Sequence, residues 1–255
     1  MTLNFISFAI GLSAGVFGGL VGLGGGLIMI PLMVGVLKLT QHKAHGTSLV
    51  ALVFTGISGA ITYASNGAID ITAAVLLALT AVFTAPLGAH YAHALAEWKL
   101  KKTFGAFLIF CSALLLLKPY LVNFIGPLPD YAKIIVFLIT GAFTGFLSGM
   151  MGVGGGTIMV PVMVILAGFT QHIAQGTSLL VMVPAGAIGA FTHWKLGNVE
   201  AGILYGLIPG ILLGTYLGGN LANIIPDNTL RLIFAIIIIS LGFRYFKTSS
   251  LNKSM

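Results

Sequence analysis

The sequence predicts an all-α integral membrane protein made of two inverted four-element repeats. Three observations predict it: a composition too apolar for water, an internal repeat at a fixed offset, and basic residues that an inverted pairing gathers on one side. Of the 255 residues, 58% are hydrophobic and 7% charged, against about 25% charged in a typical soluble domain. Apolar stretches fall at Phe5–Leu37, Thr47–Ala64, Ile71–Ala94, Phe104–Leu117, Ile134–Gly168, Thr177–His193, Ala201–Leu221 and Leu230–Phe246. Their lengths suit helices crossing ~30 Å of hydrocarbon, and no gap between them could hold a soluble domain. The first stretch has no basic start and no small-residue cleavage site, so it is expected to be retained rather than removed as a leader.

The repeat is read from one motif. Gly22-Leu23-Gly24-Gly25-Gly26-Leu27-Ile28-Met29-Ile30-Pro31 returns 130 residues later as Gly152-Val153-Gly154-Gly155-Gly156-Thr157-Ile158-Met159-Val160-Pro161. A second pair, Thr40 to Ser48 and Thr170 to Ser178, is identical at seven of nine positions, with His45 replaced by Gln175. These divide the chain into an N-terminal repeat, residues 1–125, and a C-terminal repeat, residues 126–255, forming one membrane domain overall. Three successive glycines each cost about 1 kcal/mol relative to alanine inside a helix, so each motif predicts a broken helix. Leu27–Leu37 is eleven residues, or ~16 Å of helix, about half the hydrocarbon thickness. It predicts a glycine-broken re-entrant hairpin in each repeat, followed by three transmembrane helices. Pro31 and Pro161, lacking an N–H, fix a kink in the short helices.

Charge decides between parallel and inverted halves. The net charge is +7, carried by twelve Lys and Arg in loops, at helix ends and in the tail, a pattern of topology rather than of nucleic-acid binding. With four crossings per half and parallel repeats, the basic residues split six against six. With inverted repeats and both termini inside, Lys38, Lys43, Lys99, Lys101, Lys102, Lys195, Arg244, Lys247 and Lys253 are cytoplasmic, leaving Lys118, Lys133 and Arg231 outside. That distribution obeys the positive-inside rule and predicts a multi-pass protein of the cell's inner, cytoplasmic membrane.

Irregular backbone at membrane depth must be buried in protein or line a watery cavity. The turns Gly24, Gly25, Gly26 and Gly154, Gly155, Gly156 are therefore expected to meet. Each precedes a short helix whose first amides carry a partial positive charge of about half a unit, a natural place for an anion. No Lys or Arg lies deep enough to share that task. Thr47, Ser48, Thr177 and Ser178 are expected to open the following helices, as caps and as hydroxyls lining the cavity. Gln41, His42, Gln171 and His172, just before them, read as a polar interfacial loop or as gating and proton-handling residues. His193 aligns with Tyr63 and precedes Trp194-Lys195, which reads as an interfacial anchor. Asp70, Glu97, Asp130, Glu200 and Asp227 all lie at predicted ends or loops, so no buried carboxylate relay is available.

Neither a cofactor nor a metal is expected. Cys111 is the single cysteine, no His-x-x-x-His or His-Glu-x-x-His occurs, and His90 and His93 face Asn220 and Asn223 in the other half. An intramembrane metalloenzyme would need ligands clustered at depth.

These motifs, with Gly67-x-Ile69-Asp70 and Gly88-Ala89, resemble the TauE/SafE sulfite exporter family of membrane transporters over nearly the whole chain. The resemblance implies a secondary carrier, usually an exporter, for small sulfur-containing or organic anions such as sulfite, sulfoacetate or thiosulfate, using the proton gradient. Gly24 to Gly26, Gly154 to Gly156, Thr47, Ser48, Thr177 and Ser178, the expected substrate contacts, fall where the family's paired motifs lie. A channel, or an importer of thiosulfate or another small anion, is the alternative on the same fold. The partners so implied are a small anion, protons and the lipid bilayer.

Overall fold

The computed structural model describes residues 2–124, 129–222 and 224–226, with positions 229, 239, 240 and 243 beyond them. The boundary between residues 125 and 126, and most of the stretch Leu230–Phe246 with Arg231, Arg244, Lys247 and Lys253, lie outside the described residues. Among the described residues the chain is helical throughout: α1 Thr2–Val21, α2 Gly26–Gly35, α3 Gln41–Ala64, α4 Ile71–Ala94, α5 Glu97–Phe124, α6 Asp130–Met151, α7 Gly156–Leu166, α8 Gln171–Lys195, a 3-10 turn at Ala201–Ile203, and α9 Leu204–Ala222. The 130-residue offset carries over from sequence to elements. α2 and α7, α3 and α8, and the starts at Ile71 and Ala201 all correspond.

Among the described residues six helices are long and apolar enough to cross a membrane: Leu3–Val21, Gln41–Ala64, Ile71–Ala94, Tyr131–Met151, Gln171–Lys195 and Ala201–Ala222. Gly26–Gly35 and Gly156–Leu166 are shorter apolar helices. The 10 residues of α2 and 11 of α7 rise about 15 to 16 Å at 1.5 Å each. Side chains that a soluble protein would cover stand outward, with Phe83 72%, Leu87 62% and Ile139 65% exposed. Lipid is the solvent that accepts such a surface.

Small residues set the packing. Gly11, Gly15 and Gly19 of α1 face Leu207, Ile211 and Thr215 of α9, while Gly206, Gly210, Gly214 and Gly218 face Asn4, Phe8, Leu12 and Val16 in return. The numbers rise together, so α1 and α9 run the same way with their backbones in contact. The repeat counterpart is α6 on α4, where Gly141, Gly145 and Gly149 face Leu77, Ala81 and Ala85. In lipid, apolar burial does not drive helices together, and close approach through small residues does. The first helix of each half thus packs on a helix of the other, α1 on α9 and α6 on α4.

α3 and α8 cross at the centre. Gly56 faces Leu179 and Val183, whereas Gly186 and Gly189 face Val53 and Leu49. Here the numbers run oppositely, so these two repeat partners are antiparallel. One face of the bundle collects the starts of α3 and α5, the end of α4 and the turn before α9: the Gln41 N–H donates to Glu97 Oε1 at 3.0 Å, and Lys43 pairs with Glu200 at 2.6 Å. The opposite face collects residues 65–70, the start of α8 and the end of α9. Of the basic side chains described, Lys38, Lys43, Lys99, Lys102 and Lys195 belong to the first face and Lys133 to the second.

Candidate functional site

The two glycine turns lie against each other. A Cβ added at Gly26 would strike the Gly152 carbonyl and Val153, and one at Gly156 would strike the Gly22 carbonyl and Leu23. Gly24 and Gly154, with φ of +86° and +80°, both abut the thioether of Met182 on α8. Leu52, the repeat counterpart of Met182 on α3, closes over Gly24 from the other side. Residues 20–27 and 150–161 are buried, and the turns pack closely.

The first amides of α2 and α7 are the ones a helix cannot pair internally, and neither Gly25 nor Gly155 supplies a side-chain cap. Beside them stands Thr157, 1% exposed, with its hydroxyl unpartnered. A buried hydroxyl without a partner costs about 1–3 kcal/mol, so this group awaits an acceptor or donor.

The Gly-Thr-Ser motifs work across the repeats. Ser48 donates to the Gly152 carbonyl and Ser178 to Gly22. The Thr47 hydroxyl accepts from the Glu200 N–H and the Thr177 hydroxyl from the Asp70 N–H, both at 2.9 Å. Gly46 and Gly176 leave room for the Asn198 and Ala68 carbonyls. All four hydroxyls are buried, and each holds a turn or loop of the opposite half. They do not open their helices. α3 and α8 begin at Gln41 and Gln171, capped by Thr40 and Thr170 at 3.3 Å. The polar run read as a loop is the first helical turn.

A family profile described as "Sulfite exporter TauE/SafE" matches residues 7–245. The chain belongs to the TauE/SafE family. Similar proteins include the probable membrane transporter YunE of Bacillus subtilis, 28% identical over 93% of this chain and 95% of that protein. A probable membrane transporter of Xylella fastidiosa is 27% identical over 95% of each. A third, MJ0441 of Methanocaldococcus jannaschii, is 28% identical over 78% of this chain and 74% of its own. No solved structure matches.

In this TauE/SafE protein the remaining predicted residues fall on structural bonds too. His42 Nε2 donates to the Ala92 and Leu95 carbonyls at 3.1 Å, and His172 Nε2 to Ala222 at 3.4 Å. These are equivalent positions at the ends of α4 and α9, where orphan carbonyls need donors. Gln41 is fully buried beside His45, its Nε2 2.7 Å from His45 Nε2, and Gln171 is half-buried. His193 is not an interfacial anchor: it is fully buried, with Nε2 2.8 Å from the Gly149 carbonyl. Tyr63 makes the equivalent bond to Gly19, so the alignment with Tyr63 was the usable signal. Thr157 and Met182 were also missed. Thr157 could have been found as the polar residue standing where the first motif has Leu27.

Proposed function

We propose that this protein is a secondary transporter of small anions of the sulfite, thiosulfate and sulfonate kind. The anion is held where the first amides of α2 and α7 converge. The observation that carries this reading is the buried pair of glycine turns with the unpartnered Thr157 hydroxyl beside them, where no Lys or Arg is among the described neighbours of the turns. Amides and one hydroxyl then supply the positive potential. Hydrogen bonds to a charged group contribute about 1.5–3 kcal/mol each, enough for a few donors to hold a desolvated anion.

In this reading the halves, 1–125 and 126–255, are inverted in the cytoplasmic membrane as one transport domain. The antiparallel crossing of α3 and α8 supports it, since partners related by an axis along the membrane normal would run the same way. α1 with α2, and α6 with α7, form re-entrant hairpins whose tips meet at mid-depth, and the lysine-rich first face, which also receives the amino terminus, is cytoplasmic. Thr47, Ser48, Thr177 and Ser178 hold the tips in register. The turns are closely packed, so the anion enters when one half rocks against the other and Met182 and Leu52 withdraw.

The test is flux in proteoliposomes. Labelled sulfite, thiosulfate and isethionate should exchange across the membrane, with competition among them, and an imposed ion gradient should drive at least one uphill. Flux that never exceeds equilibration would make the protein a channel. Absence of exchange for all three, with chloride and acetate moving instead, would refute the substrate class.

A further inference from the structure

Beside each glycine turn the two halves make the same pair of hydrogen bonds with different chemistry. On one side the Gln175 amide donates to the Leu20 carbonyl at 3.4 Å and the Tyr63 hydroxyl to Gly19 at 2.8 Å. On the other, His45 Nδ1 donates to Met150 at 3.1 Å and His193 Nε2 to Gly149 at 2.8 Å. Donors and acceptors correspond one for one at the 130-residue offset. As ties to two consecutive carbonyls, amide and phenol do what the imidazoles do. The imidazoles add a second ring nitrogen that can take a proton, which neither the amide nor the phenol offers.

The surroundings follow that difference. A carbonyl only accepts, so His45 carries its hydrogen on Nδ1, and Nε2 accepts from Gln41 Nε2 at 2.7 Å. Gln41 Oε1 is buried without a partner. When His45 Nε2 gains a hydrogen, half a turn of the Gln41 amide brings that idle oxygen round to accept it. Likewise His193 Nδ1 accepts from Asn198 Nδ2 at 3.3 Å, which also lies 3.1 Å from His93 Nδ1. The counterpart of Asn198 is Ala68, so the extra amide exists only on the histidine side. Among the described residues no group of His, Cys, Asp and Glu is arranged to hold a metal, whereas each ring keeps one nitrogen able to hold a proton.

We propose that His45 and His193 form a proton-binding site coupled to the anion. This rests on the carrier reading above. Gly152 packs on the His45 backbone and is held by Ser48 one turn along, so a proton here puts positive charge next to the amides of the second glycine turn. Each ligand then favours the other, and anion and proton cross together. The groups facing the pair are His42 on α3, His90 and His93 on α4, Glu97 on α5 through the Gln41 N–H, and Glu200, paired with Lys43, ahead of α9. α6 presents the Gly149 and Met150 carbonyls, and the Phe104 ring packs 5.3 Å from that of the fully buried His45.

The decisive variant gives this side the other side's chemistry: His45→Gln, His193→Tyr and Asn198→Ala together. Wild-type protein in proteoliposomes should accumulate labelled thiosulfate against its gradient when the opposite side is made acid. The triple variant should lose that uphill component and keep downhill exchange. Independently of any substrate, ¹⁵N-histidine NMR in nanodiscs should show the two buried rings, assigned with the single variants, gaining a second proton on acidification. Uphill accumulation retained by the triple variant, or rings that stay singly protonated until the protein unfolds, would overturn the proposal. If thiosulfate does not cross in the wild type, the carrier reading fails for that anion, and the NMR titration still decides the proton site.

Discussion

Ser178 places its hydroxyl 2.7 Å from the carbonyl of Gly22 in the opposite half, and Ser48 makes the equivalent bond to Gly152. Both carbonyls belong to irregular backbone that lipid cannot satisfy. Removing either hydroxyl strands a buried acceptor. Ser48→Ala and Ser178→Ala are therefore each expected to lower stability by about 1–3 kcal/mol, measured as reduced resistance to thermal or detergent unfolding. Unchanged unfolding with a weakened substrate affinity would instead make these serines direct ligands.

The two triglycine turns are not interchangeable. Gly25 has φ 74°, in the left-handed region, whereas Gly155 has φ −82°. A Cβ at Gly25 would also strike the Ala14 carbonyl, while one at Gly155 would meet the flexible end of Met159 at 2.8 Å. Left-handed backbone costs a non-glycine residue about 1–2 kcal/mol, and a backbone carbonyl cannot move aside as a thioether can. Gly25→Ala should destabilise the protein by at least ~1 kcal/mol more than Gly155→Ala. Equal melting temperatures for the two variants would contradict this.

Much of this arrangement was legible because the duplication repeats both pattern and offset. The broken helices and the meeting of the glycine turns follow from Gly24 to Gly26 and Gly154 to Gly156, and the membrane class from a chain with 58% hydrophobic and 7% charged residues. What was not legible is which polar groups are already in use. Thr47 and Thr177 look like free hydroxyls in sequence, and only the fold brings the Glu200 and Asp70 amides onto them. Gln41 and His42 look like a solvated loop because polarity is a local signal, whereas their partners, Glu97, Ala92 and Leu95, lie 56, 50 and 53 residues away. The histidine site was concealed for a related reason. His45 and His193 differ from Gln175 and Tyr63 as isolated substitutions, and the antiparallel crossing of α3 and α8 makes them one cluster.

The proposed inversion would make equivalent loops reachable from opposite sides. Asn66 is exposed at the second face, and Lys38 and Lys195 at the first. In a background with Cys111 replaced by alanine, Asn66→Cys should react with a membrane-impermeant maleimide added outside intact cells. Lys38→Cys and Lys195→Cys should react only after the membrane is opened. Asn66→Cys and Lys195→Cys reacting from the same side would require parallel halves.

Thr157 discriminates the anion site from a merely packed glycine junction. Its hydroxyl is buried and unpartnered at the start of α7, and its repeat counterpart is the apolar Leu27. A packing role is served by any side chain of the same shape, so Thr157→Val should leave stability unchanged or raise it. An anion ligand loses a charge-assisted bond of about 1.5–3 kcal/mol, equivalent to roughly 10- to 150-fold weaker binding at 1.4 kcal/mol per tenfold. Thiosulfate flux in proteoliposomes should show that rise in half-saturating concentration for Thr157→Val, with most of it recovered by Thr157→Ser, which restores the hydroxyl. Wild-type half-saturation in the valine variant would remove the hydroxyl from the site and leave the glycine amides as its only donors.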